Sequence, residues 1–174
     1  MNIAVFCSSS EEINERYIKS SRNVLESLFE KNNNLVFGTY SKGIMGISYR
    51  IAKKNKRKVI GISPNEQDFL DLKCDEKIIT KSVNERTDNM IEKADILLFL
   101  PGGIGTIYEL FTAIEKKRNN EYDKPIYIYN ETGFFDDILQ ILDKIYKEKF
   151  SSSKDGKNYE VINERNRLLK EIGL

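Results

Sequence analysis

The stretch Ala94-Asp95-Ile96-Leu97-Leu98-Phe99-Leu100-Pro101-Gly102-Gly103-Ile104-Gly105-Thr106-Ile107-Tyr108-Glu109-Leu110 decides the architecture. Ile96 to Leu100 are apolar without alternation, the mark of a strand covered on both faces in a parallel sheet. Pro101 cannot extend the ladder and ends the strand. Gly102, Gly103 and Gly105 keep Cβ atoms away from the turn, so a ligand can approach the backbone. The helix that follows aims unpaired N–H groups back at the turn, which favours an anion there. Glu109 sits about one turn into that helix. The stretch therefore reads as a phosphate cradle with a carboxylate beside it. A second reading competes: Thr106 and Glu109 also fit a capping box, in which Glu109 only closes its own helix.

Upstream, residues 3–7 are a first buried strand, followed by Ser8-Ser9-Ser10. Ser9 with Glu12 fits a capping box opening a helix to about Glu30. Residues 35–37 are a second strand that enters Gly38-Thr39-Tyr40-Ser41-Lys42-Gly43-Ile44-Met45-Gly46, another glycine-bearing turn into a helix. Residues 59–62 are a third strand, and Ser63-Pro64-Asn65-Glu66 reads as a helix start. Residues 77–80 are a fourth strand. Ser82 with Glu85 opens a helix through Lys93, with Arg86, Met90 and Lys93 on one stripe.

Downstream, the glycine-turn helix runs to about Lys117, and residues 125–129 are a further strand. Residues 134–149 are an amphipathic helix with Phe135, Ile138, Leu139 and Leu142 inward. A flexible loop is expected over 151–157 and a terminal helix over 161–172. Strands alternating with helices predict an α/β fold, a Rossmann-like three-layer sandwich with a mostly parallel sheet, forming a single domain over residues 1–174. The turns after Cys7, Phe37 and Leu100 all fall at the carboxyl edge of that sheet, where such folds bind ligands.

Composition narrows the chemistry. The chain has no histidine, which removes Ser-His-Asp and Cys-His catalysis and the usual zinc sites. Carboxylates, Arg, Lys, Tyr and Ser/Thr remain as candidate catalysts. Cys7 and Cys74 are two cysteines with no CxxC, which is not a disulfide framework. The formal net charge is +1, so no global field recruits nucleic acid or a membrane, and any anion binding must be local. The basic run from Lys53 to Lys58 reads as a solvated helix end. No signal peptide or apolar span is visible, and a cytoplasmic location is the expectation.

Neither glycine turn is the GxGxxG fingerprint or a Walker A loop. "PGGIGTIYEL" instead resembles the PGGxGTxxE signature of the Lonely Guy (LOG) family, the cytokinin-activating nucleoside 5′-monophosphate phosphoribohydrolases often labelled lysine decarboxylase-like. "IAVFCSSS" is similar to that family's first strand and turn, "LVFGTYSKGIMG" to its YGGGxxGLMG turn, and "NERTDNM" to its HERKxxM segment. The resemblance runs colinearly over roughly residues 1–142. It implies that Gly102, Gly103, Ile104, Gly105 and Thr106 hold a 5′-phosphate and that Glu109 and Arg86 are the catalytic pair. It implies further that Ser8, Ser9, Gly38, Gly43 and Met45 line the nucleotide pocket, with Met90 either core or base-contacting. A homodimer with no metal or organic cofactor is also implied. Thr39 and Tyr40 stand where the family has glycines, Thr87 where it has lysine, and Asn84 where it has histidine.

The residue chemistry is compatible with this. Cleavage between base and ribose passes through an oxocarbenium-like centre. A carboxylate beside that centre stabilises the charge and orients water, and an arginine holds phosphate or the carboxylate. The expected function is hydrolysis of a nucleoside 5′-monophosphate (AMP or an N6-modified adenylate) to free base and ribose 5-phosphate. The alternative is a non-catalytic nucleotide-binding or carrier protein on the same fold, suggested by Tyr40 and Thr87. A pyridoxal-phosphate decarboxylase is a third reading, and no recognisable Schiff-base lysine setting supports it.

Overall fold

The computed structural model describes residues 1–152 and 158–174. Its strands are β1 (Asn2–Phe6), β2 (Asn34–Phe37), β3 (Val59–Ser63), β4 (Glu76–Ile79), β5 (Ile96–Phe99), β6 (Ile126–Tyr129) and β7 (Glu160–Ile162). They form one sheet in the order β4-β3-β2-β1-β5-β6-β7, and every neighbouring pair is parallel. The helices are α1 (Glu15–Glu30), α2 (Gly43–Lys54), α3 (Val83–Lys93), α4 (Ile104–Arg118), α5 (Asp136–Lys147) and α6 (Arg165–Glu171). This is the expected three-layer Rossmann-like sandwich.

Covering both faces explains why the strands carry apolar residues without alternation. Ile3 and Val5 of β1 enter one apolar layer with Leu35, Phe37 and Leu98, under α1, α2 and α6. Ala4 and Phe6 enter the other with Val36, Leu97 and Phe99, alongside residues of α3, α4 and α5. Phe6 and Phe99 pair in register across β1 and β5, and their rings stack with centroids 4.6 Å apart. Burial of each such side chain contributes about 1.5–3 kcal/mol relative to exposure.

The chain builds outward from β1 to β4, then crosses back to β5 on the other side of β1. The topological switch point therefore lies between β1 and β5, where the outgoing loops diverge and leave a crevice. The Ser8–Ser10 and Pro101–Gly103 turns flank that crevice.

Three local expectations are corrected. The Ser9/Glu12 box is not made: Ser8 Oγ accepts from Ser10 N–H, Ser10 Oγ accepts from Glu12 N–H, and Asn14 caps α1 through Arg16 N–H. The serine hydroxyls close local turns instead of starting the helix. Ser63 ends β3, and only a 3-10 turn, Glu66–Phe69, follows it, capped by Asn65. The expected terminal helix over 161–172 starts as strand β7, which pairs Tyr127 to Tyr129 with Glu160 to Ile162. A three-residue edge strand carries too little pattern to be told from a helix start. The loop expected over 151–157 lies largely outside the described residues.

The basic run is structural. Arg57 donates to the carbonyls of Phe29 and Glu30 at 2.8 and 3.0 Å, satisfying the C-terminus of α1. Lys53 pairs with Asp75, and Lys58 with Glu76. Among the described residues no helix is long and apolar enough to cross a membrane.

Candidate active site

Three strand-to-helix turns meet at the switch point, and the backbone of Ser8 ties them together. Its N–H donates to Pro101 C=O at 3.0 Å, and its C=O accepts from Met45 N–H at 3.0 Å. The turn after β1 is thus fastened to the turn after β5 and to the first turn of α2. Gly43 lets the second contact form. It has φ of +59°, and a Cβ there would lie 2.6 Å from Ser10 O and 2.8 Å from Ser8 O.

The turn after β5 is built differently. A Cβ at Gly102 would run into the Thr106 side chain, so Gly102 and buried Thr106 are fitted to each other. A Cβ at Gly103 or Gly105 would meet nothing within 4 Å. Gly103 is the N-cap of α4 and has no side chain to satisfy the helix. The first backbone bond of α4 runs from Ile107 N–H to Gly103 C=O at 3.1 Å. The N–H groups of Ile104, Gly105 and Thr106 precede it and have no intrahelical acceptor. Gly103, Ile104 and Gly105 are exposed, so these donors face an open surface at the positive end of a helix.

Glu109 does not cap this helix. The cap is Gly103, three residues before Thr106, so the Thr106/Glu109 box is out of register with the helix start. The Glu109 carboxylate instead accepts from Arg86 Nη2 at 2.7 Å. The Glu109 side chain is 6% exposed and that of Arg86 19%. The guanidinium lies against Gly38, where a Cβ would approach Arg86 Nη1 to 3.2 Å. Arg86 Nε is buried without a hydrogen-bond partner. Arg86 thus spans from the end of β2 to the first turns of α4.

Burial pushes the Glu109 carboxyl above its ordinary value, and the charge and hydrogen bond of Arg86 pull it partly back. The net direction is upward. Cys7, at the end of β1, has its thiol raised by burial and, secondarily, by the nearby Glu109 charge. It is a neutral thiol, not a nucleophile.

The remaining sequence-predicted residues divide. Ser8 and Gly38 line this junction, and Ser9 is half-buried with its backbone against Gly43. Met45 reaches the site through its backbone N–H, while its side chain belongs to the apolar layer under α2. Met90 is 1% exposed inside the opposite apolar layer, packed as core, one of the two readings its place on α3 left open. Thr87 is fully buried and its hydroxyl donates to Val83 C=O.

Sequence reasoning missed three features. Thr39 adopts a left-handed φ of 59°, rare for a β-branched residue. Tyr108 donates to Asn84 at 2.9 Å beside the Arg86–Glu109 pair. A cleft of about 280 Å³ opens on the β6 side of the glycine turn, lined among others by Ser8, Ile13, Tyr17, Gly103 and Phe134. The Tyr17 and Phe134 rings meet edge to face there. Only Thr39 had a sequence signal: Gly61 inside a strand marks a close approach, and a Cβ there would meet the Thr39 methyl at 2.8 Å.

The pattern of a family described as "Possible lysine decarboxylase" matches residues 45–172. The chain is 32% identical over 154 residues to cytokinin riboside 5′-monophosphate phosphoribohydrolase LOG2 of Arabidopsis thaliana, covering 87% of this chain and 72% of that protein. It is 30% identical over 153 residues to LOG3 of the same plant, covering 86% and 71%. Among solved structures, the molybdenum cofactor binding protein of Rippkaea orientalis aligns with a TM-score of 0.72 at 18% identity, over 98% of this chain and 94% of that one. The Moco carrier protein of Chlamydomonas reinhardtii aligns at 0.69 and 18%, with the same coverage. At those identities the likeness to the two carriers is one of fold.

Proposed function

Because this chain belongs to the lysine decarboxylase-like LOG family, we propose that it is a nucleoside 5′-monophosphate phosphoribohydrolase. The substrate is AMP or an N6-modified adenylate, and the products are free base and ribose 5-phosphate. One observation supports the reading above the rest. Buried Glu109, held at 2.7 Å by Arg86, lies on the same helix as the open N-terminal cradle at Gly103–Gly105. Glu109 lies four positions after Gly105, about 6 Å of helix rise. That matches in scale the span from a nucleotide's 5′-phosphate to its C1′.

In this reading the phosphate accepts from the free N–H groups at the start of α4. The C1′–N bond breaks with its electron pair leaving on the base, and positive charge develops at C1′ and the ring oxygen. The ionised Glu109 stabilises that charge and takes a proton from the attacking water, whose oxygen bonds to C1′. The proton then passes to the departing base. Arg86 keeps Glu109 ionised and aimed. The upward pull of burial makes the carboxylate a stronger proton acceptor than an exposed one.

Among the described residues, no lysine side chain is placed at the Arg86–Glu109 pair to suit the decarboxylase label. Lys42, in the turn after β2, is exposed and pairs with Glu11. A homodimer is part of the same proposal, since Val83, Ile104 and Ile141 leave exposed apolar surface on the α3–α4–α5 side. The test is a panel of nucleoside 5′-monophosphates assayed for released base, run with Glu109→Ala and Arg86→Ala. Wild type should release base. Glu109→Ala should lose at least about a hundredfold in turnover while still binding nucleotide. Tight binding of AMP without any turnover would favour the carrier alternative.

A further inference from the structure

We propose that Tyr108 and Asn84 form a latch that positions Arg86 against Glu109, making both positioning residues for the reaction of this site. The inference rests on the hydrolase reading above. Tyr108 Oη donates to Asn84 Oδ1 at 2.9 Å. Tyr108 immediately precedes Glu109 on α4, and Asn84 lies two residues before Arg86 on α3. The hydrogen bond and the 2.7 Å ion pair therefore join the same two helix turns.

Little else holds these turns together. Val83 and Ile104, the first residues of α3 and α4, are 51% and 90% exposed. The next bridge between the helices, Lys116 Nζ to Asp88 Oδ1 at 3.1 Å, lies further along both. Among the described residues Arg86 makes one side-chain hydrogen bond, through Nη2, and its Nε has none. A single hydrogen bond fixes a distance and leaves the guanidinium free to swing. A second anchor two residues away removes that freedom.

The latch contributes little to folding. Tyr108 is 41% exposed, and a hydrogen bond so close to water exchanges readily with solvent, so its loss should leave thermal unfolding nearly unchanged. Its leverage is geometric, because misplacement of a catalytic group by about 1 Å costs rate far out of proportion to stability. It also sets charge. The titratable groups facing Glu109 are Arg86 from α3 and Cys7 from the end of β1. Cys7 is held neutral by burial, so the guanidinium alone opposes the upward pull of burial on Glu109. Loosening Arg86 must let the Glu109 carboxyl titrate higher.

The experiment compares Tyr108→Phe, Asn84→Ala and the double variant, with Lys116→Met as a control on the lower bridge. Base release from AMP is followed against pH, thermal unfolding is recorded, and the Glu109 carboxyl is titrated by carbon NMR in ligand-free protein. Each single variant should lose roughly threefold to tenfold in kcat with KM nearly constant. Its acid limb, and the Glu109 titration, should both move to higher pH than in wild type. The double variant should be no worse than either single, and Lys116→Met should match wild type throughout. Unchanged Glu109 titration in Tyr108→Phe, or single losses that add in the double variant, overturns the latch. The NMR titration needs no substrate. If wild type releases no base and Glu109 still titrates higher in Tyr108→Phe, the hydrolase reading fails and the latch stands.

Discussion

A methyl group added at Gly43 would press on Ser10 O at 2.6 Å, Ser9 C at 2.7 Å and Ser8 O at 2.8 Å, and one added at Gly103 or Gly105 would touch nothing within 4 Å. Both turns run from a buried strand into a helix, and both are rich in glycine. In the turn after β2 the glycines serve the protein: Gly38 seats Arg86, and Gly43 admits the Ser8–Ser10 backbone. In the turn after β5 only Gly102 is required by packing, against Thr106. Gly103 and Gly105 have no such duty and no left-handed φ. A glycine that packing does not require, beside unpaired N–H groups, points to a ligand that approaches from outside.

Gly43→Ala should give the largest effect. It forces a side chain into a left-handed conformation and onto three backbone atoms, so a loss of about 3 kcal/mol or more is expected, read as a fall in Tm. A stable Gly43→Ala variant would mean that the turn after β2 has slack, and the contrast between the turns would collapse.

Gly103→Ala and Gly105→Ala test the other side. Gly103→Ala should leave stability within about 0.5 kcal/mol, as surface substitutions do. Gly105 is helical, so Gly105→Ala should raise stability by up to about 1 kcal/mol. Both should weaken AMP binding by at least about tenfold, measured by calorimetry, because a methyl group would stand where phosphate meets backbone. Opposite signs for stability and binding at Gly105 have no explanation in packing alone. Unimpaired binding in both variants would remove the phosphate cradle from the proposal.

The pH response sharpens the link between the two turns, since Arg86 spans them. Burial raises the Glu109 carboxyl, so the acid limb of turnover should lie above 4.5, the ordinary carboxyl value. Arg86→Met removes the group that pulls it back, so the limb should move further up. Stability follows the same sign. A raised carboxyl binds its proton more readily folded than unfolded, so stability rises as pH falls through the folded value and levels off below 4.5. A limb that stays in place in Arg86→Met would show that Arg86 does not govern Glu109.

The central strand, the helix after it and the meeting of three turns at one sheet edge were legible because burial on both faces and glycine punctuation are local signals. Which carboxylate function Glu109 serves was not legible. A capping box and a proposed catalytic carboxylate share the spacing Thr106-x-x-Glu109, and only the position of the helix start rules out the cap. The Tyr108–Asn84 bond and the Glu109–Arg86 pair join residues 24 and 23 apart, through strand β5, and no local pattern encodes that contact. Strand β7 was missed for the opposite reason, being too short to show a period.

The smallest effect is expected at Thr39, which stands where the resembled family has glycine. Its left-handed φ of 59° costs a β-branched residue about 1–2 kcal/mol. Two gains oppose that cost. The methyl is buried against Gly61, worth about 0.8 kcal/mol. The hydroxyl donates to Gly38 C=O at 2.8 Å, worth about 1 kcal/mol. The terms nearly cancel, so Thr39→Gly should shift Tm by no more than about 3 °C. Turnover should hold as well, because the Thr39 side chain is 2% exposed and turned toward β3 rather than toward Arg86. A rise in turnover in Thr39→Gly would show that the turn after β2 also limits how closely a ligand approaches. It would then share the role assigned above to the turn after β5 alone.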